Sequence, residues 1–81
     1  MNTALNASLG KTIASARKAV GLTQEQLSDR VNINTRSLQR IESGDDLPRY
    51  VTLFAIAHAL DISPDHLLMP MWDAWRQSLD H

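Results

Sequence analysis

The segment TQEQLSDRVNINTRSLQRIESG, residues 23–44, is polar over most of its length, yet Leu27, Val31, Leu38 and Ile41 recur in it at helical spacing. Thr23 stands where an N-cap belongs, and Gln26 three residues on completes a capping box. A helix is therefore predicted over about 24–31. Asn32 follows, and asparagine tolerates the left-handed backbone of a sharp turn better than any residue but glycine. Asn34 is a good N-cap for a second helix at about 35–43, which Gly44 ends. Two short helices joined by a tight turn make a helix-turn-helix. Its crossing point requires a small residue, supplied by Ser28, and apolar contacts, supplied by Leu27, Val31, Ile33, Leu38 and Ile41.

What remains on the outer face of the second helix is Thr35, Arg36, Gln39 and Arg40. These hydrogen-bonding side chains fall at i, i+1, i+4 and i+5, which is one stripe. Arginine fits guanine O6 and N7 with a two-pronged fork, and glutamine does the same for adenine N6 and N7. A duplex major groove about 12 Å wide admits an α-helix. A solvated polar face is the bland alternative for the same stripe.

Outward from this segment the chain reads as helical throughout. A helix over about 8–20 carries the stripe Leu9, Ile13, Ala16 and Val20, with Ser8 as N-cap and Gly21 just past its end. DDLPR, residues 45–49, is a loop. A helix at about 50–60 turns Leu53, Ile56, Ala57 and Leu60 inward. SPDHLL opens another, with Ser63 as N-cap, Pro64 at the first helical position and Asp65 on the positive end of the dipole. Pro70 stops that helix or starts the next piece. The tail MWDAWRQSLDH then forms a short sixth helix, with Trp72, Trp75 and Leu79 on one side. The expected fold is all-α, five helices and this short sixth, in a single domain over 1–81 with its core at about 8–69 and a tail at 70–81.

The chain has 81 residues, a net charge of −1 and no cysteine. Its small size favours one domain with a limited core. Disulfides and thiolate metal sites are excluded. Positive charge is uneven: residues 1–49 balance at +2 and residues 50–81 at −3. The helix pair lies in the positive half. The longest mostly apolar run, VTLFAIAHAL, is about half of what a bilayer crossing needs. No cationic segment followed by an apolar run opens the chain, which argues against a secretory signal. A cytoplasmic protein without membrane contact is expected. His58, Asp61, Asp65 and His66 match no compact metal-ligand spacing. No nucleophile, base and orienting group stand in a recognisable pattern, and no glycine-rich phosphate loop is present. Neither an enzyme nor a cofactor or metal is expected.

The pieces GLTQEQL, RIESG and AHALDIS–DHLL, within a match running over residues 9–68, make the chain resemble the DNA-binding domains of the lambda-repressor/Cro type, the xenobiotic-response-element family. The resemblance covers roughly three-quarters of the chain. It implies roles for individual residues. Gln24 is similar to a glutamine that bonds a phosphate and braces the recognition helix. Thr35, Arg36, Gln39 and Arg40 match base-reading and flanking positions. Arg49 resembles a basic residue that contacts the backbone or reaches toward the minor groove. Arg17 and Glu42 match an ion pair joining the first helix to the end of the third. The sequence departs from the family's pattern in three places. Asn32 replaces the turn glycine, Asp45-Asp46 stands where a basic residue is usual, and Arg49 precedes the fourth helix where a capping serine is usual.

The implied function is a sequence-specific regulator of transcription that binds double-stranded DNA, a repressor acting as a homodimer on a pseudo-palindromic operator. The rival is an antitoxin-like interaction module that holds a partner protein through its tail. Trp72, Trp75 and Leu79 are open at this point between covering the chain's own core, meeting a second copy, and meeting a foreign protein.

Overall fold

The computed structural model describes residues 3–79. Five helices follow in order: α1 (Thr3–Ala19), α2 (Gln24–Arg30), α3 (Thr35–Ser43), α4 (Tyr50–Ala59) and α5 (Pro64–Ser78). The core gathers side chains from all five: Leu9 and Ile13 of α1, Leu27 of α2, Leu38 and Ile41 of α3, Leu53, Ile56 and Ala57 of α4, and Leu67 and Met71 of α5. Val31 and Ile33, expected at the helix crossing, pack partly buried against it. α1 packs most closely against α5 and α3. No helix among the described residues is long and apolar enough to cross a membrane.

Helix ends follow local chemistry. Thr23 and Gln26 form the expected reciprocal capping box on α2. The Asn34 side chain accepts from the Ser37 amide at 2.7 Å. Asn32 takes φ 59°, as the tight turn demands. The Ile33 amide then reaches back to the Ser28 carbonyl at 3.0 Å, which closes the turn. Asp61 after α4 repeats the device at φ 56°, with the Ile62 amide bonding the Ala57 carbonyl at 3.0 Å. Sequence reading missed Asp61, because aspartate accepts this conformation less readily than glycine or asparagine does.

Three expectations are corrected. α1 begins five residues earlier than the predicted start, so Ser8 lies inside the helix rather than capping it. Burial of Asn6 and packing of Leu5 against the core reward the extra turn. Val20 lies past the end of α1 and is 52% exposed, not inward. Finally, there is no sixth helix among the described residues; residues 80–81 of the expected one lie outside them. α5 continues through Pro70 without a break. Proline removes one backbone donor from such a helix. Leu67 and Met71, one turn apart on either side of it, are both buried, and their packing holds the helix in register across the gap. Ser63 does occupy the N-cap position of α5, but its hydroxyl makes no capping bond.

Candidate nucleic-acid interface

The outer face of α3 depends on how firmly its inner face is held. Leu38 and Ile41 anchor the inner face in the core. At the N-terminal end, the buried Ser28 hydroxyl donates to the Glu25 carbonyl at 2.9 Å. Its oxygen lies 3.1 Å from the Thr35 hydroxyl, which must therefore be the donor of that contact. Thr35 is half-buried. Its proton is committed to α2, and its oxygen keeps lone pairs for an outside donor.

The C-terminal end of α3 is held by Glu42. Arg17 Nε donates to Glu42 Oε2 at 2.8 Å and Nη2 to Oε1 at 3.0 Å. Arg17 Nη1 donates to the Leu22 carbonyl at 2.8 Å. Gln24 Nε2 adds a bond to Glu42 Oε1 at 3.0 Å. One carboxylate thus ties α1, the start of α2 and the end of α3 together. The two charged side chains are only 10% and 6% exposed. This is the ion pair that the family resemblance implied. It also shows Gln24 bracing α3 from within the molecule, with one amide proton and its carbonyl oxygen left over.

Clamped at both ends, α3 presents Arg36, Gln39 and Arg40 to solvent. Together with Ser43 and Asp45 these three line one open hollow. An adjoining hollow is lined by Thr23, Gln24, Glu25, Thr35 and Gln39, so Gln39 belongs to both. Among the described residues neither Arg36 nor Arg40 pairs with a carboxylate. Five of the six residues predicted for binding therefore share one continuous surface. Arg49 lines neither hollow. It is the exposed N-cap residue of α4 and makes no side-chain cap there. Ser43 was missed, although its place seven residues after Arg36 puts it on the same face. Asp45 was noticed only as a departure from pattern; the structure brings it into the hollow with the arginines.

The tail residues are elsewhere. Trp72 and Trp75 stack on each other, ring centroids 5.5 Å apart and planes at 26°. They are 51% and 38% exposed, and Leu79 is 61% exposed. α5 buries Met71 in the core and leaves both tryptophans partly exposed.

A family model described as helix-turn-helix matches residues 13–67. The chain is 44% identical over 55 residues to the cryptic phage CTXphi transcriptional repressor RstR of Vibrio cholerae, covering 68% of this chain and 49% of RstR. It is 33% identical over 61 residues to the HTH-type transcriptional regulator ImmR of Bacillus subtilis, covering 75% of this chain and 48% of ImmR. The chain thus spans about half the length of both relatives. Among solved structures, the restriction-modification controller protein C.AhdI from Aeromonas hydrophila matches with TM-score 0.73 at 30% identity, over 75% of this chain and 92% of that one. The clp gene regulator ClgR from Corynebacterium glutamicum has TM-score 0.81 over 94% of this chain and 82% of its own; at 23% identity it speaks for the fold alone. With its capped helix pair, its clamped third helix and a family match over more than half its length, the chain belongs to the helix-turn-helix family, in the lambda-repressor/Cro type.

Proposed function

We propose that the chain reads double-stranded DNA in a sequence-specific way and regulates transcription, as a repressor that occludes a promoter. One observation carries this: α3 is locked on its inner side while Arg36, Gln39 and Arg40 stand exposed on its outer side, without carboxylate partners among the described residues. A major groove supplies the acceptors and donors that such a row lacks. Gln24 and Arg49 hold phosphates beside it, and Thr35 touches the groove edge. The likeness to RstR, a transcriptional repressor, and to ImmR, a transcriptional regulator, supports the same reading. The protein works in the cytoplasm, where its DNA is, and performs no catalysis.

The working unit is a homodimer. One recognition helix covers only a few base pairs, and two-fold pairing sets two of them about 34 Å apart on a pseudo-palindromic operator. The outward Trp72–Trp75 stack and Leu79 supply the contact between copies. The same exposed stack also fits a foreign protein, which keeps an antitoxin-like module as the second reading. Selection of bound duplexes from random DNA tests the main one. The winning duplex, titrated against a scrambled control at two salt concentrations, is expected to bind far more tightly at both. Equal affinity for winner and control at both salts removes the sequence-specific role.

A further inference from the structure

Asp45 sits where simple electrostatics would not put it. It follows the C-terminus of α3, the negative end of the helix dipole. It shares an open hollow with the two arginines of the recognition face. Yet among the described residues it forms no ion pair with either of them. Its backbone is fixed, the amide donating to the Arg40 carbonyl at 2.9 Å. Its Oδ2 lies 3.2 Å from the Ser43 hydroxyl, whose single proton is shared with the Arg40 carbonyl at 3.1 Å. The hollow therefore sets the donors of Arg36 and Arg40 beside the carboxylate acceptor of Asp45, with Gln39 and Ser43 able to do either.

A phosphate matches half of that pattern, since it brings acceptors alone and meets the carboxylate with like charge. A base-pair edge matches all of it. A G·C pair shows guanine O6 and N7 as acceptors and the cytosine 4-amino group as a donor, side by side in the major groove. We propose that Asp45 is a specificity-determining residue that accepts a hydrogen bond from the 4-amino group of a cytosine, while Arg40 takes guanine in the same pair or the next. This rests on the DNA-reading role proposed above. Asp45 sets the operator's base content rather than merely lowering affinity.

The test uses the full chain, as wild type and as Asp45→Ala, on the duplex recovered by selection. Each cytosine is replaced in turn by a 2-pyrimidinone nucleotide, which lacks the 4-amino group. At one cytosine per half-site, the wild type is expected to lose about tenfold in affinity, while Asp45→Ala loses little more there. Asp45→Asn is expected to shift the preferred base at that position from cytosine toward adenine, because an amide pairs with adenine N6 and N7. The proposal falls if Asp45→Ala binds the selected and scrambled duplexes more tightly by the same factor, the behaviour of a carboxylate that only repels phosphates. It falls equally if no cytosine distinguishes the two proteins. In both of those cases the wild type still selects a sequence; a wild type that selects none overturns the DNA-reading role itself.

Discussion

Arg17 of α1 grips Glu42 of α3 through two side-by-side bonds of 2.8 and 3.0 Å, with both side chains almost out of water. A bridge so buried behaves differently from a surface pair. Removing one partner leaves the other charged and poorly solvated, which costs about 3–5 kcal/mol. Glu42→Ala should show this in urea unfolding, because it strands the Arg17 guanidinium with the Leu22 carbonyl alone and frees Gln24 as well. Replacing both partners by Met and Leu should recover most of the loss. A single-variant change below about 1 kcal/mol, the range of exposed pairs, would show that the bridge holds nothing together.

Gly10 lies in the middle of α1, where alanine is ordinarily better by about 1 kcal/mol. Here the outcome should reverse. A Cβ at this position would stand 2.6 Å from the Ile41 carbonyl oxygen, which is backbone and cannot swing aside. Gly10→Ala must push α1 off α3, and a net loss of about 1–3 kcal/mol is expected by thermal or urea denaturation. A variant as stable as the wild type would mean that the two helices do not approach this closely in solution.

The helix pair was legible because each of its signals is local. Thr23 with Gln26, Asn34 with Ser37 and the turn at Asn32 act within four residues, and the structure reproduces all three. What escaped is decided at a distance. Gly10 looks like an ordinary helix residue until Ile41 and Glu42 arrive from another helix. Pro70 reads as a stop, and only the joint burial of Leu67 and Met71 overrides it. The start of α1 lies five residues before the cap expected at Ser8, and there Leu5 and Asn6 pack inward against other helices. The same distinction runs through the site. The stripe Arg36, Gln39 and Arg40 follows from helical spacing, whereas the bonds that draw Gln24 to Glu42 and Thr35 to Ser28 span 18 and 7 residues.

Arg40 and Arg49 should fail in different ways when truncated. A base-reading arginine discriminates by about 1–3 kcal/mol, so Arg40→Ala is expected to weaken the selected duplex by tenfold or more and the scrambled one much less. A phosphate contact carries no sequence information, so Arg49→Ala should weaken both alike and make the salt dependence shallower by about one unit per site. If Arg36, Arg40 and Arg49 all neutralised phosphates in a dimer, log K would fall against log salt with a slope near about −5. With only Arg49 on phosphate the slope lies nearer about −2. Binding measured at several salt concentrations separates these cases, and an equal loss on both duplexes would take Arg40 off the base-reading surface.

The tryptophan stack is best tested by substitution. Truncation at residue 70 would also remove Met71, which is only 8% exposed and belongs to the core, so it would confuse lost folding with lost assembly. Trp72→Ala combined with Trp75→Ala touches two outward side chains and should leave each protomer folded. Sedimentation is expected to show a dimer for the wild type and a monomer for this double variant. Its affinity for a full operator should fall toward that for an isolated half-site, since two recognition helices are no longer held one helical turn apart. In the wild type, tryptophan emission should move to shorter wavelength as protein concentration rises and the stack leaves water. A wild type whose emission stays water-exposed at every concentration, together with a double variant that sediments as the wild type does, would take the stack out of self-association and turn it toward a foreign protein.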